Sequence, residues 1–539
     1  MIKRFSAIVL SATVFFSHEA DASKPFVISQ GDEWIPIDYR RDIEPGSALD
    51  FSVMGFLDAP AGKHGWLKNV QGHFEFEGQP GVRQKFYGVN LVGTSNFPDH
   101  KLADALVERF VRFGYNSIRI HHHDRHVVEG SADGFTTNPE NMDRLDYFAA
   151  SAIRRGLYLT TDLYCSRPVT WRQIGVEDKD GFVDMQLYKV LCAVHEPAFE
   201  NWKAYASAFL LHENAYTGRR YIDEPAMPMV ALINEGSIFN AWDNGIRDDP
   251  RVVAAWRQWL SGKRKKDPSF APGLDCENIP TKYYEPNRPV YPVLAQWAGD
   301  LERKLFSRMK AYVRSIGCKA LLTNDNNGMH CAALQLASGE YDYVDDHVYV
   351  DHPSFPEKSW RLPSCCRNVN HLLGSGSISP GHKAYTRILG KPFTLTEWNF
   401  AAPGRFRGMG GLMVGALGAM QDWDGIWRFA YAHSREKIHN RDNREPSYFD
   451  LASDPLAQAS ERAAICLFLR GDVKPLAGGV ALSLSPESPK GGASLGRRPE
   501  LGGCFVEYAC GNVSFCRCRQ RDESRPQRGG GFAEGKETD

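Results

Sequence analysis

An apolar run, Met227-Pro-Met-Val-Ala-Leu-Ile-Asn-Glu-Gly236, ends abruptly in two polar residues, Asn234 and Glu235. A short apolar run bounded by Pro228 and Gly236 is typical of a strand that is covered on both faces, as in a parallel sheet. In an α/β barrel, polar groups at the carboxyl end of such a strand lie where barrel enzymes keep their reactive groups. Glu235 is therefore the first candidate for a functional residue. A catalytic role for Glu235 would require a second functional residue at the end of another strand.

Short apolar strands alternate with amphipathic helices along most of the chain. Apolar residues at helical spacing, closed by Gly114, predict a helix over residues 99–113, and a second helix is predicted over 138–155. Eight strands are predicted, over residues 86–90, 116–121, 157–162, 229–234, 319–324, 341–348, 392–397 and 425–431. Eight such units predict a (β/α)8 TIM barrel. An open doubly wound sheet is the alternative, but it usually has fewer strands, and no glycine-rich dinucleotide motif follows the first strand.

The first 22 residues are typical of a signal peptide. Lys3 and Arg4 precede an apolar run of about 12 residues, and Ala20-Asp21-Ala22 offers a small-residue cleavage site. The run is too short for a membrane span, which needs about 20 apolar residues. We expect cleavage near Ala22 and export to the periplasm or the medium, with an uncleaved anchor as the alternative. No later stretch has the pattern of a membrane span.

Three further segments flank the predicted barrel, which covers residues 86–435. Residues 23–85 have the pattern of a small β-rich segment, including a strand over 48–53. Residues 436–489 contain a helical pattern and one strand-like run, which predicts the start of an incomplete β-rich accessory region. From residue 490 to 539 the composition shifts to glycine, arginine and cysteine, and we expect a disordered or aberrant tail. Its four cysteines lack the paired spacing of a zinc site.

Composition limits the class of partner. The 539 residues carry a net charge of −1 and 12% aromatic residues, so no basic field points to nucleic acid. The 12 cysteines show no spacing of a disulfide framework, and most are expected to be buried and free, with one or two bridges at most. Long segments after the third and fourth strands carry aromatic residues, among them Trp171, Phe182 and Trp256. Such loops shape a ligand site, although most of these rings are expected only to pack the loops.

Glu397 supplies the partner that Glu235 requires. It closes the predicted seventh strand in the sequence Leu395-Thr-Glu-Trp398. Cleavage of a glycosidic bond needs one carboxyl group to protonate the leaving oxygen and a second to attack or stabilise the cationic sugar carbon. Two strand-end glutamates inside one barrel therefore favour a glycosidase.

These residues resemble those of the clan A retaining glycoside hydrolases, and the sequence is most similar to glycoside hydrolase family 5 over residues 86–431. The resemblance implies that Glu235 is the acid/base, that Glu397 is the nucleophile and that Asn234 binds the sugar 2-hydroxyl. It also implies that Arg119 and Tyr349 hold Glu397, with Glu235 protonated at working pH. The remaining residues that it places in the sugar pocket are Asn90, His122, His347 and, as the floor, Trp427.

One position departs from the family pattern. The third strand ends in Thr161-Asp-Leu-Tyr164, where the family often has a histidine. Asp162 or Tyr164 is expected to replace that histidine, or the strand register differs. The resemblance implies a cofactor-independent retaining hydrolase that cleaves O-glycosidic bonds, of β configuration, in a polysaccharide or oligosaccharide. The sugar, its linkage and the oligomeric state are left open by the sequence.

Two other functions compete with this one. The motif His121-His-His-Asp-Arg-His126 resembles a metal cluster of a barrel hydrolase. Adjacent strand residues point to opposite faces, so three successive histidines reach one ion only through a sharp bend, and we predict no metal. A non-catalytic sugar-binding barrel would keep the aromatic residues but would need neither glutamate.

Overall fold

The computed structural model describes residues 31–32, 42–280, 290–327, 331–366, 381–439, 447–484 and 505–510. Its strands are β1 Leu67–Val70, β2 His73–Phe76, β3 Arg83–Gln84, β4 Phe86–Val92, β5 Ser117–His121, β6 Tyr158–Asp162, β7 Glu213–Asn214, β8 Arg219–Arg220, β9 Met229–Ala231, β10 Leu321–Thr323, β11 Val344–Val350, β12 Phe393–Phe400, β13 Gly425–Ala432, β14 Gly479–Leu484 and β15 Phe505–Cys510. Its α-helices are α1 His100–Phe113, α2 Asp124–Val127, α3 Pro139–Arg154, α4 Met185–Val194, α5 Glu196–Leu210, α6 Pro250–Lys266, α7 Tyr291–Ser315, α8 Ala332–Ser338, α9 Gly410–Met420, α10 Arg435–His439 and α11 Pro455–Phe468.

Eight parallel strands form a TIM barrel, which confirms the predicted fold. The strand order is β10-β9-β6-β5-β4-β13-β12-β11. The remaining gap lies between β10 and β11, where Asp342 bridges the two strands. Its backbone N–H donates to the carbonyl of Leu322, and its carboxylate accepts from the N–H of Leu322 at 3.0 Å. Because all eight strands run in the same direction, their carboxyl ends meet at one face of the barrel.

A three-stranded antiparallel sheet, β1-β2-β3, covers the opposite, amino-terminal end of the barrel. Phe76 stacks on Tyr158 with ring centroids 5.0 Å apart, and Phe74 meets Phe86 and Tyr343 edge to face. Tyr158 and Phe86 begin barrel strands, and Tyr343 immediately precedes one. The two phenylalanines of β2 therefore form an aromatic floor that closes the amino-terminal end of the barrel.

One predicted strand of the amino-terminal segment is wrong. Within residues 48–53 the structure has a short 3-10 helix, Phe51–Met54, instead of a strand. The side chain of Asp50 accepts a hydrogen bond from the N–H of Ser52, which caps the start of the helix. Gly55 ends it with a left-handed φ of 76°. The helix-capping residues Asp50 and Gly55 therefore determine the local structure, although the apolar residues alternate as in a strand.

The barrel extends beyond the boundary at residue 435 that the sequence suggests. Helix α11 packs against α9, and Gly411 of α9 has no room for a side chain, since a Cβ there would lie 2.0 Å from the carbonyl oxygen of Ser460. Arg428 of β13 forms a buried ion pair of 3.1 Å with Glu461 of α11. The predicted helix of the accessory region thus completes the outer ring of the barrel.

The two ends of the chain are described only in part. The predicted signal peptide and most of the tail lie outside the described residues, and β14 pairs in parallel with β15. In the part of the chain that the structure covers, no helix is long and apolar enough to cross a bilayer. The eight cysteines between residues 165 and 466 are all free.

Candidate active site

The carboxyl ends of the barrel strands bring the predicted pair of glutamates together. Glu397 lies on β12 and Glu235 follows β9. Oxygen atoms of the two carboxyl groups and a ring nitrogen of His347 all lie within 4.8 Å of one another. Retaining glycosidases hold their two carboxyl groups about 5 to 5.5 Å apart, whereas inverting enzymes leave about 6.5 to 9.5 Å. The separation found here corresponds to the retaining arrangement.

Glu397 is buried, with 5% of its side chain exposed, and hydrogen-bond donors surround it. Arg119 donates to Oε1 at 2.7 Å, and the Tyr349 hydroxyl donates to Oε2 at 2.6 Å. The Nε2 atom of His121 lies 3.1 Å from Oε1. A carboxylate held from three sides in this way has a fixed orientation and little freedom to rotate.

The surroundings of Glu397 keep it ionised. Burial alone would raise the pKa of Glu397, yet this pKa lies well below its usual range because His347, His121 and Arg119, in that order, lower it. Burial, with the neighbouring Glu397 charge, raises the pKa of Tyr349 well above its ordinary value. Tyr349 therefore keeps its proton and remains a donor to Glu397.

Arg119 connects the nucleophile candidate to the strands beneath it. Besides Glu397 it donates to Oδ1 of Asn90 at 3.1 Å, to Oδ1 of Asp162 at 2.7 Å and to Oδ1 of Asn234 at 2.8 Å. Acceptors on three other barrel strands or their ends thus fix the guanidinium. The side-chain oxygen of Asn234 is thereby committed to Arg119.

Two predicted substrate-binding residues lie beneath the pocket instead. Asn90 is fully buried, and its amide donates to the carbonyls of Thr396 and Arg428 at 2.9 and 3.0 Å. Asp162 is also fully buried, with one oxygen on Arg119 and the other 2.6 Å from Nδ1 of His121. Both side chains point into the barrel one layer below the site and support Arg119, so neither reaches a ligand.

The sequence analysis named His121 only as part of a possible metal cluster and not as a neighbour of Glu397. It ends β5 and lies between Asp162 and Glu397. Burial lowers the pKa of His121, as does Arg119, but Cys165, Glu397 and Asp162 outweigh them and raise this pKa well above its ordinary value. His121 therefore adds positive charge beside the nucleophile. The sequence does contain an indication of this position, because His121 follows Arg119 by two residues and therefore points to the same side of the strand.

Glu235 occupies a different environment. Its side chain is 22% exposed, and its Oε1 atom lies 2.8 Å from Nδ1 of His347. Its backbone has a φ of 51°, in the left-handed region, and its N–H donates to Oδ1 of Asn326 at 2.8 Å. The carboxyl group thus lies beside His347 and remains partly open to solvent.

A chain of hydrogen bonds behind His347 determines which ring nitrogen carries its proton. The Thr396 hydroxyl donates to Asp345 at 2.5 Å, and its oxygen lies 3.1 Å from Nε2 of His347. Asp345 also accepts from Thr394 and Asn326 and from the backbone N–H of Thr396, four bonds in all, which is the pattern of a carboxylate. The Thr396 oxygen is thus free only to accept, so Nε2 carries a hydrogen.

His122 lies at the edge of the site. Its ring meets that of His121 with centroids 4.4 Å apart, and its Nδ1 atom lies 2.7 Å from the Ser166 hydroxyl and 3.4 Å from Sγ of Cys165. Burial, and next the positive His121, lower the pKa of His122 to about 3. The ring is therefore neutral and partly open to the pocket. His123, the third residue of the run, turns away and packs on Phe209.

Trp427 does not form the floor of a sugar site. It is completely buried, stacks on Phe86 and donates its indole N–H to the Ser117 hydroxyl at 3.0 Å. Phe86 and Ser117 belong to the lower half of the barrel, so Trp427 lies too deep to contact a sugar. The position that faces the pocket is two residues further along the strand. Phe429, two residues later on the same side, meets the rings of His121 and Tyr349 edge to face.

Aromatic residues on the loops surround the barrel mouth. Phe449 packs on Tyr349 and Phe429, and the adjoining Trp360 is 57% exposed. On another side, loops after β5 and β6 enclose a cleft of about 400 Å³ at whose edge Phe182 is 68% exposed. Trp171 and Trp256 are buried, as expected for rings that pack the loops. Exposed flat rings beside a polar pocket suit the apolar faces of sugar rings.

Comparison with known proteins gives structural likeness only. No protein-family model matches the sequence, and no curated protein matches it. The fold is similar to an endo-1,4-β-mannanase from Rhizomucor miehei at 13% identity, covering 75% of this chain and 99% of that chain, with a TM-score of 0.43. It is also similar to a glycoside hydrolase family 5 mannosidase from Rhizomucor miehei (11% identity, 75% of this chain and 98% of that chain, TM-score 0.46) and to a β-galactosidase from Marinomonas ef1 (12%, 79% and 70%, TM-score 0.49). These matches include the family that the sequence resembles, but at such identities the functional argument depends on the site itself.

Proposed function

We propose that the protein is a retaining glycoside hydrolase that cleaves β-O-glycosidic bonds in an oligosaccharide or polysaccharide. The observation that carries the proposal is the pairing of two carboxyl groups in unlike surroundings, with oxygens within 4.8 Å of each other. Glu397 is buried and held ionised by its neighbours, whereas Glu235 is open to solvent and faces His347. Environments that separate the protonation states of two carboxyl groups are how one site supplies both a nucleophile and an acid.

In the first step the Glu397 carboxylate attacks the anomeric carbon of the sugar. A bond forms between a Glu397 oxygen and that carbon while the bond to the leaving oxygen breaks, and Glu235 transfers its proton to that oxygen. The product is a glycosyl ester of Glu397 and a free alcohol. Tyr349 and Arg119, each already bonded to Glu397, orient the attacking carboxylate. Asn234, whose oxygen accepts from Arg119, is the residue that we propose to bind the sugar 2-hydroxyl through its amide N–H groups.

In the second step Glu235, now ionised, removes a proton from a water molecule. The water oxygen bonds to the anomeric carbon, the ester bond to Glu397 breaks, and both carboxyl groups return to their first states. Two inversions at one carbon retain its configuration. His347 lies 2.8 Å from the Glu235 carboxyl group and orients it.

A barrel that only binds carbohydrate would be expected to lack this pair. Burying Glu397 among Arg119, His121 and Tyr349 fixes a charged oxygen where a reacting atom would stand. A binding site gains more from hydrogen-bonding groups and aromatic platforms than from such a charge. The metal-dependent alternative predicts that chelation abolishes turnover, whereas the two-carboxylate mechanism predicts full activity after treatment with a chelator.

A substrate screen and a covalent label test the proposal together. The full chain is assayed on aryl β-glycosides and on β-glucans, mannans and galactans, and the anomer released first is followed by NMR. A 2-deoxy-2-fluoro glycosyl fluoride of the preferred sugar, which slows the second step, should label Glu397 in a peptide map. Glu340→Gln, an exchange at an exposed glutamate, serves as control. Inversion of configuration, or labelling unchanged in Glu397→Gly, would contradict the mechanism.

We also propose that the enzyme is exported. The proposal is supported by the basic and apolar pattern of residues 1–22 and by the small-residue site Ala20-Asp-Ala22. An exported enzyme meets polysaccharides that do not enter a cell. Expression of the full chain should give a mature protein that begins near Ser23 outside the cytoplasm, as read by amino-terminal mass spectrometry, and an intact terminus in the cytoplasm would contradict it.

A further inference from the structure

The run of histidines at the end of β5 contains the sharp bend that would let neighbouring rings meet. His122 has a φ of 50°, in the left-handed region. On a regular strand His121 and His122 would point to opposite faces, but this bend brings their ring centroids to 4.4 Å. Two of the three successive histidines therefore face one point at the rim of the pocket.

A cysteine from the next strand completes this cluster. Sγ of Cys165, three residues after β6, lies 3.6 Å from Nε2 of His121 and 3.4 Å from Nδ1 of His122. Zinc–sulfur bonds of about 2.3 Å and zinc–nitrogen bonds of about 2.0 to 2.1 Å, set at tetrahedral angles, separate sulfur and nitrogen by about 3.5 Å. Both sulfur–nitrogen distances thus match a shared tetrahedral ion, and the two nitrogens lie within 4.8 Å of each other.

The support behind the cluster also fits a metal ligand. Nδ1 of His121 lies 2.6 Å from a carboxylate oxygen of Asp162. Metal-binding histidines almost always use their second nitrogen in this way, which fixes the ring and directs the other nitrogen at the ion. Oε1 of Glu397 lies 3.1 Å from Nε2 of His121, so an ion bonded to this nitrogen replaces the hydrogen that faces the Glu397 carboxylate.

We propose that His121, His122 and Cys165 form a binding site for a zinc-like cation, and that an ion held there inhibits the enzyme by removing the hydrogen-bond donor that His121 presents to Glu397. Two imidazoles and a thiolate favour Zn²⁺ or a softer ion over Mg²⁺ and Ca²⁺, which prefer oxygen ligands. Entry is possible because His122 is partly exposed. The ion displaces the Ser166 hydroxyl that now lies 2.7 Å from Nδ1 of His122.

Binding is an exchange of protons for the ion, with no change of oxidation state. The Cys165 thiol loses its proton and His121 loses the proton on Nε2, and both protons pass to solvent as the metal bonds form. Glu397 then loses the N–H donor that faced its Oε1 atom at 3.1 Å, and with it one of the three groups that orient the attacking carboxylate. The binding claim stands on its own, whereas the inhibition claim rests on the proposed glycosidase function.

The test uses the full chain after treatment with a chelator and buffer exchange. Zn²⁺ is titrated with activity as one readout, and bound metal per chain is measured by mass spectrometry. Cd²⁺ is titrated in parallel, because a cadmium–thiolate bond adds charge-transfer absorbance in the ultraviolet. We expect one ion per chain, the new absorbance band, and activity that falls at least tenfold with occupancy and returns on chelation.

Variants distinguish this cluster from adventitious binding. Cys165→Ala and His122→Gln should each weaken binding by about 100-fold or more, since loss of even an indirect partner of a metal ligand costs 10- to 100-fold. Cys165→Ala should also remove the absorbance band. Cys192→Ala, at another buried cysteine outside the cluster, should change neither. Circular dichroism verifies that each variant is folded.

The outcomes separate the two claims. Equal metal content in the wild type and Cys165→Ala would overturn the site, whether or not the protein is a glycosidase. Stoichiometric, Cys165-dependent binding with an unchanged rate would overturn the inhibition. If no substrate is cleaved at all, the proposed function fails, and metal content with the cadmium band still decides the site.

Discussion

The Nδ1 atom of His347 lies 2.8 Å from Oε1 of Glu235 and 3.5 Å from Oε2 of Glu397. One imidazole therefore stands between the two carboxyl groups on which the proposed chemistry depends. Its other nitrogen faces the Thr396 hydroxyl, which donates to the buried Asp345. The orientation of the ring beside Glu235 is thus linked to a hydrogen bond deep in the barrel wall.

Thr396→Val tests this link. The loss of the hydroxyl removes the group that Nε2 of His347 faces, so the ring beside Glu235 is no longer held in one orientation. We expect kcat to fall by about tenfold, the effect of one hydrogen bond. Thr394→Val is the matched control, since Thr394 bonds the same Asp345 at 2.7 Å. Equal losses of kcat in both variants would refute the link.

Removal of the acid should affect substrates according to their leaving groups. Glu235→Gln keeps the shape of the side chain but has no proton to give. For natural sugars with poor leaving groups we expect a loss of about 10²- to 10⁴-fold in kcat/KM. An aryl glycoside with an acidic phenol needs no such help, so formation of its glycosyl ester should proceed at nearly the wild-type rate. Glu397→Gly should abolish turnover of both classes while the protein stays folded, and a uniform loss in Glu235→Gln would contradict the assignment.

The nucleophile should remain active in unusually acidic solution. Turnover requires ionised Glu397, and because its pKa is held well below the usual range, protonation inactivates the enzyme only when the pH falls below about 4.3, the ordinary value for glutamic acid. His121→Asn removes a positive neighbour and should move this acid limb of kcat/KM to higher pH. His100→Asn, on the exposed side of α1, should not. Stopped assays over the pH range in which circular dichroism is unchanged provide the measurement.

Substitution of Trp427 should lower stability, whereas substitution of Phe429 should weaken substrate binding. Trp427→Ala leaves a cavity in the lower barrel, and we expect about 3 to 5 kcal/mol less free energy of unfolding in urea. Phe429→Ala removes a ring that lines the pocket beside Tyr349, so KM should rise by roughly three- to tenfold. A large rise in KM for a folded Trp427→Phe variant would restore the role that the sequence suggested.

Trp360 should contribute to binding of long substrates. The ring is 57% exposed and connects through Phe449 to the pocket. We expect Trp360→Ala to raise KM for an oligosaccharide by up to about tenfold, as for loss of one stacking contact, and to leave KM for an aryl monoglycoside unchanged. Leu362→Ala, at an 80% exposed residue of the same loop, is the control. Phe182→Ala tests the opposite cleft in the same assay.

The strands and the two glutamates could be predicted because local signals encode them. Buried runs bounded by glycine and proline define strands, and Asn234-Glu235 and Glu397 stand where such runs end. No comparable sequence pattern indicates how deep inside the barrel a given strand residue lies. The strand that contains Trp427 is buried on both faces, so nothing in its pattern distinguishes the residue of the lower layer from Phe429 two positions later.

Other parts of the site depend on contacts between distant segments. Phe449 reaches the pocket from beyond the last strand, and Asp345 supports His347 only because β11 and β12 are neighbours. The backbone bend at His122 is a tertiary effect as well, and without it the histidine run has no common target. The spacing of residues along the sequence does not predict any of these contacts.

The aromatic floor made by Phe74 and Phe76 has a consequence for how the chain is shortened or fused. A version that begins at β4 would contain every strand of the barrel and every residue of the site, yet Phe86, Tyr158 and Tyr343 would present their rings to water at its base. Such a surface invites aggregation. A soluble form of this enzyme must therefore start before Leu67, and a partner protein is better joined upstream of that residue than at the first strand of the barrel.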